Sequence, residues 1–194
     1  MPRQGDLHIA AAIASALAID ADDAARFAET AAVETVRPRG TIDGDALVAR
    51  GAVKLVMGDV VIDMLRAPHL ALAAPFRYVA RRSCLVARLN PAVIVAHPAA
   101  VAGFWSNVAA SLAERIEARA APTVEARLEH LLEGLARRHG TRVSGGTFLA
   151  LPLRGRDAAS LAGTTTETVS RIFAAWKRTG RIRATRDGVW IRGS

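Results

Sequence analysis

Residues 157–181, DAASLAGTTTETVSRIFAAWKRTGR, hold two short helical patterns separated by a single glycine. Ala158, Leu161 and Ala162 give the first pattern a small apolar face. Gly163 follows where the chain must turn, and only glycine enters positive φ there without a steric cost. Thr164 or Thr165 can cap a second helix, with Glu167 and Thr168 in its first turn. Within that helix Val169, Ile172, Phe173 and Trp176 recur at helical spacing, which turns them inward. Thr166, Glu167, Ser170 and Arg171 are left on the outer side of the N-terminal half. Helix-turn-helix proteins read base edges with this part of the second helix, so the pattern points to a DNA-binding module.

Working outward, a hairpin pattern follows: Arg183-Ala184-Thr185 and Val189-Trp190-Ile191 flank Arg186-Asp187-Gly188, and Asp-Gly is a strong tight-turn signal. Upstream, Val143 to Leu153 reads as a short hairpin broken by Gly145-Gly146. Before it, a helix opening after Pro122-Thr123 carries Val124, Leu128, Leu131, Leu132 and Leu135 and ends at His139-Gly140. A longer helix is predicted from Pro98 to about Arg119. Its Val101, Trp105, Val108, Leu112 and Ile116 form a stripe narrow enough for a helix–helix seam. That seam pairs with a second copy or packs on the domain preceding it.

From Val33 to His97 the texture changes to short β-branched runs. Residues 34–36, 51–56, 59–63, 84–86 and 93–95 read as strands, punctuated by Gly40, Asp43-Gly44-Asp45, Gly58, Pro68, Pro75 and Asn90-Pro91. Regularly spaced short strands predict an antiparallel sandwich, barrel or roll. Two Ala-rich helices open the chain, around 6–18 and 22–32. The expected organisation is a β domain over 1–97, a long helix over 98–120 and a DNA-binding domain over 121–194.

The 194 residues carry 26 basic against 18 acidic side chains, a formal net charge of +8. From Arg154 onward nine basic residues face only Asp157, Glu167 and Asp187, so much of the excess falls on the DNA-binding segment, as phosphate neutralisation requires. Arg154, Arg156, Thr165, Lys177, Arg178, Arg183 and Arg186 are the candidate phosphate contacts. Cys84 is the one cysteine, which excludes an intrachain disulfide and a cysteine-based metal cluster and fits a reduced cytoplasmic setting. LHIAAAIASALAI (7–19) has the apolar texture of a signal-peptide core, but Asp6 and His8 interrupt it. No stretch is long and apolar enough for a membrane span. No nucleophile–base pair, metal-ligand spacing or phosphate loop suggests an enzyme.

RDAASLAGTTTETVSRIFAAWKRTGRI resembles the DNA-binding domain of the CRP/FNR family of bacterial transcription regulators. The resemblance is carried by Leu161-Ala162-Gly163, by Glu167-Thr168-Val169-Ser170-Arg171 and by Gly180-Arg181-Ile182. It implies an α+β chain: an N-terminal antiparallel, jelly-roll-like β-roll sensor, a long dimerisation helix and a C-terminal winged helix-turn-helix. PRGTIDGDALVARGAVKLV is similar to early strands of that sensor. The stripe Val101, Trp105, Val108, Leu112 and Ile116 becomes the expected homodimer interface.

Thr166, Glu167, Ser170 and Arg171 become the expected base readers. Arg171 can pair bidentately with guanine, and Glu167 can accept from a cytosine amino group. An i,i+4 salt bridge between the two is expected to orient the guanidinium. FNR-like members with this spacing read a TTGA half-site, so the expected operator on double-stranded DNA is TTGA-N6-TCAA. RNA polymerase is a further partner wherever the chain activates.

In cyclic-nucleotide members a Gly-Glu pair precedes an Arg-Ser or Arg-Thr pair. Here Arg82-Ser83 match the second pair as a degenerate effector site, while Ala71-Leu72 stand in place of the first. The loss removes a close backbone approach and a ribose acceptor, so action without cyclic nucleotide is expected and no cofactor is assigned. An unidentified effector in the β domain, haem on Cys84, His69 or His97, and a non-specific architectural role remain as alternatives.

Overall fold

The computed structural model describes residues 4–72 and 75–192. The N-terminal helices are α1 (Gln4–Leu17) and α2 (Ala21–Thr30). Asp20 caps α2 by accepting from the Asp23 N–H at 2.8 Å, and α1 buries Ile9, Ala12, Ile13 and Leu17.

Eight strands follow: β1 (Val33–Val36), β2 (Thr41–Ile42), β3 (Ala46–Arg50), β4 (Ala52–Met57), β5 (Val60–Arg66), β6 (His69–Ala71), β7 (Arg77–Ala80) and β8 (Cys84–Arg88). They form two four-stranded sheets, ordered β1-β8-β3-β6 and β2-β7-β4-β5. Antiparallel registers include Thr35↔Leu85, Leu47↔Ala87 and Leu55↔Tyr78. Leu47, Val48, Val86, Val53, Leu55 and Tyr78 are buried, so both sheets supply the core. The sheets touch where Cys84 Sγ lies 3.5 Å from the Ala52 carbonyl. Gly51, at φ 116° between β3 and β4, makes this approach possible: a Cβ there would stand 2.6 Å from Cys84 Sγ. A side chain would both strain the backbone and push the sheets apart.

Residues 93–95, expected as a strand, lie instead in helix α3 (Pro91–Ala96). Asn90 accepts from the Ala92 N–H at 2.9 Å and proline sits at the helix start. A cap followed by preset φ outweighs the strand preference of three β-branched residues.

Helix α4 spans Pro98–Ala120 and α5 spans Val124–His139, the latter capped by Thr123 on the Ala126 N–H at 3.1 Å. The expected hairpin at 143–153 begins earlier, as β9 (Gly140–Val143) and β10 (Gly146–Leu149). Gly140 starts the strand directly after α5, in a place where a Cβ would meet the Ala136 carbonyl at 2.3 Å. Helices α6 (Gly155–Ala162) and α7 (Thr166–Arg178) and strands β11 (Ile182–Ala184) and β12 (Val189–Arg192) complete the described chain. The last four strands form a sheet ordered β11-β12-β10-β9.

The chain divides into two compact units, one of 1–58 with 65–108, the other of 59–64 with 109–194. No helix among the described residues is long and apolar enough to cross a membrane.

Candidate nucleic-acid interface

Helix α6 buries Ala158, Ala159, Leu161 and Ala162 against Leu128 and Leu132 of α5. It ends at Gly163, in the left-handed region at φ 63° and ψ 52°, whose N–H returns to the Ala159 carbonyl. Thr165, not Thr164, caps α7: its hydroxyl accepts from the Thr168 N–H at 3.2 Å. The cap sets the direction in which α7 leaves the turn.

On the inner side of α7, Val169 and Trp176 are buried, with Ile172 and Phe173 packed against the same cluster as Ile182 and Val189. Trp176 is held on several sides. Its indole N–H donates to Glu125 at 2.6 Å, Phe173 stacks on it at 5.7 Å between centroids, and the Arg181 guanidinium lies 4.6 Å above its ring. Arg181 is itself paired with Glu129. These anchors were not legible beforehand, since Glu125 and Glu129 meet partners 51 and 52 residues further along the chain.

This packing leaves Thr166, Glu167, Ser170 and Arg171 together on the exposed edge of α7. Their clustering follows from one fact: the opposite face is locked into a core and the helix cannot rotate. The Glu167–Arg171 salt bridge does not form. Glu167 accepts instead from its own backbone N–H and from the Thr165 hydroxyl, which hold its carboxyl below the usual carboxylate range. An acidic group at a helix N-terminus finds free N–H donors nearer than a long side chain one turn away. Arg171 therefore projects with no partner among the described residues.

The start of α6 closes on this edge. A Cβ at Gly155 would stand 3.7 Å from Thr166 Cγ2 and 3.9 Å from Ser170 Oγ, so the flanking Arg154 and Arg156, both exposed, border the same patch. Thr165, Lys177, Arg178, Arg183 and Arg186 are exposed as well. Arg183 lies over the Trp190 ring at 4.7 Å, which steadies its guanidinium on the wing, an aid that the sequence pattern did not reveal. The wing turn is closed by the Thr185 N–H on the Gly188 carbonyl at 2.8 Å.

Along α4 the expected seam is half open. Val108 is buried and Val101 half-buried, whereas Trp105, Leu112 and Ile116 are exposed by 40, 36 and 71%. Trp105 leans on Phe76 and Phe104 at 5.7 and 5.3 Å between ring centroids.

In the β unit, Arg82 and Ser83 sit in the turn between β7 and β8. Ala71 and Leu72 are buried. The Tyr78 phenol takes up both backbone groups of Leu72, accepting from its N–H at 3.0 Å and donating to its carbonyl at 2.9 Å. Cys84 is buried, and that burial pushes its thiol above the ordinary range. His97 stacks edge-on against Phe27 at 5.8 Å, and His69 is half-buried at the start of β6. Among the described residues no group of three or more His, Cys, Asp or Glu could hold a metal ion.

Residues 126–192 match the family model of the Crp-like helix-turn-helix domain. No curated protein matches the chain in sequence. Among solved structures, a CooA variant from Carboxydothermus hydrogenoformans is similar at TM-score 0.67 and 17% identity, covering 86% of this chain and 85% of that one. The c-di-GMP responsive global regulator CLP of Xanthomonas campestris is similar at TM-score 0.66 and 16% identity, covering 90 and 100%. FixK2 from Bradyrhizobium japonicum is similar at TM-score 0.67 and 17% identity, covering 85 and 93%.

Proposed function

We propose that this chain, whose residues 126–192 are a Crp-like helix-turn-helix domain and whose fold is that of the CRP/FNR transcriptional regulators, acts as a homodimer on a TTGA-N6-TCAA-like palindrome without cyclic nucleotide. The observation that carries this reading is the exposed edge of α7, where Thr166, Glu167, Ser170 and Arg171 stand together above a buried Val169 and Trp176. Arg171 reads guanine through two parallel hydrogen bonds, Glu167 accepts from cytosine, and Ser170 is small enough to let the backbone approach. Arg154, Arg156, Thr165, Lys177, Arg178, Arg183 and Arg186 hold phosphates around that edge and contribute affinity rather than choice.

Two-fold pairing along Trp105, Leu112 and Ile116 supports the palindrome, since a symmetric dimer presents two reading helices one DNA turn apart. Independence from cyclic nucleotide is supported by Leu72, whose backbone N–H already serves the buried Tyr78 hydroxyl. An amide so occupied offers nothing to a phosphate unless Tyr78 leaves. Haem finds little support, because the Cys84 thiol is buried and neutral.

Selection of binding sites from a random duplex library with purified protein and no added ligand tests the proposal. Enrichment of a TTGA-type inverted repeat is the expected result. A folded dimer that enriches no sequence would refute it.

A further inference from the structure

The unit formed by 59–64 and 109–194 contains a cleft of about 400 Å³, away from the reading edge of α7. Arg115 and Arg119 reach it from α4, Arg127 from α5, and Leu131, Leu161 and Ala162 supply apolar wall. The charges in it do not balance. Glu114 is taken up by Arg137 and Arg138. Asp63, 4% exposed, accepts from Arg138 at 3.1 Å and from the Met64 N–H at 2.7 Å. Among the described residues, Arg115, Arg119 and Arg127 have no carboxylate within ion-pair distance.

Arg115 makes one protein contact, to the Ile62 carbonyl at 3.2 Å. Burial draws its pKa down, the charge of Arg119 one turn away draws it down further, and Asp63 offsets part of this. Partly buried like charges without a counter-ion are costly to fold around. The same cleft holds Ser111, 1% exposed, whose hydroxyl has no partner among the described residues. The Nε groups of Arg115 and Arg127 are likewise buried without one. A buried hydroxyl and guanidinium donors facing a shared space are the complement of an oxyanion.

We infer that this cleft binds a phosphate-bearing small molecule of nucleotide size, its phosphate held by Arg115, Arg119, Arg127 and Ser111 and its apolar part against Leu131 and Leu161. Such a molecule bridges α4 to α5. It also sits beside the reading unit, because the Arg119 guanidinium lies 3.4 Å from where a Cβ on Gly163 would be.

Isothermal titration of the full chain with inorganic pyrophosphate and with ATP, at constant ionic strength, tests the site. The expected result is saturable binding of one equivalent per chain, weakened about tenfold in R127Q, a loss of one charged contact. S111A covers the case in which an arginine variant folds poorly, since its hydroxyl contacts nothing in the protein. S111A is expected to keep the wild-type thermal midpoint while binding severalfold more weakly. R183Q, on the DNA-facing wing, is expected to bind as wild type. Absence of saturable heat, equal affinity in R127Q and S111A, or loss confined to R183Q would overturn the site. None of these results bears on operator selection, which stands or falls separately.

Discussion

Replacing Arg171 by alanine separates base reading from phosphate attraction. In the free protein Arg171 is exposed and has no partner among the described residues, so its removal costs the fold little. Alanine also keeps the helix propensity that arginine had. The loss therefore falls on the complex. A bidentate arginine–guanine pair discriminates by about 1–3 kcal/mol, or roughly 5- to 150-fold in affinity at 25 °C. Fluorescence anisotropy would be run on the palindrome and on a duplex with that guanine pair replaced, at several salt concentrations. R171A is expected to bind the two duplexes alike, at the level the wild type shows for the altered one. The slope of log K against log salt is expected to stay near its wild-type value, because no phosphate contact has gone. R178Q is the contrasting case: it should weaken both duplexes equally and reduce the slope by about 0.9 for each contact in each half-site. If R171A instead weakens both duplexes equally and flattens the slope, Arg171 is a phosphate ligand and the assignment of base readers is wrong.

Further outcomes are expected elsewhere. T165A removes the hydroxyl that caps α7 and supports Glu167; it should cost about 1 kcal/mol, seen as a lower midpoint in thermal melts. The double variant L112D/I116D should sediment as a folded monomer with an unchanged circular dichroism spectrum, and an intact dimer would place the interface elsewhere. Cys84 should react with Ellman's reagent slowly in the native protein and at once in denaturant. Burial raises its pKa, so the stability tied to its neutral thiol is present below the free-thiol value of about 8.5 and falls as pH climbs through the folded value.

The reading unit was legible in the sequence because each of its determinants is local. A small apolar face, a glycine needing positive φ, a threonine cap and inward residues at helical spacing all lie within 25 consecutive residues, 157–181. The structure places Gly163, Thr165, Val169 and Trp176 where that pattern put them. The same kind of local rule decided 93–95, but there the Asn90-Pro91 start outweighed the β-branched residues that suggested a strand.

By itself, then, the sequence determined which helix reads and which of its residues face outward, since spacing along a helix settles facing once the inner side is apolar. Tertiary structure decided what long-range contacts decide. Trp176 is anchored by Glu125, Leu72 is closed by Tyr78, and Glu167 turns to the Thr165 cap rather than to Arg171. Three arginines from two helices converge with Ser111 on one cleft. No spacing rule predicts which side chains meet across a packed interface, because their separation in sequence carries no information about their distance in space.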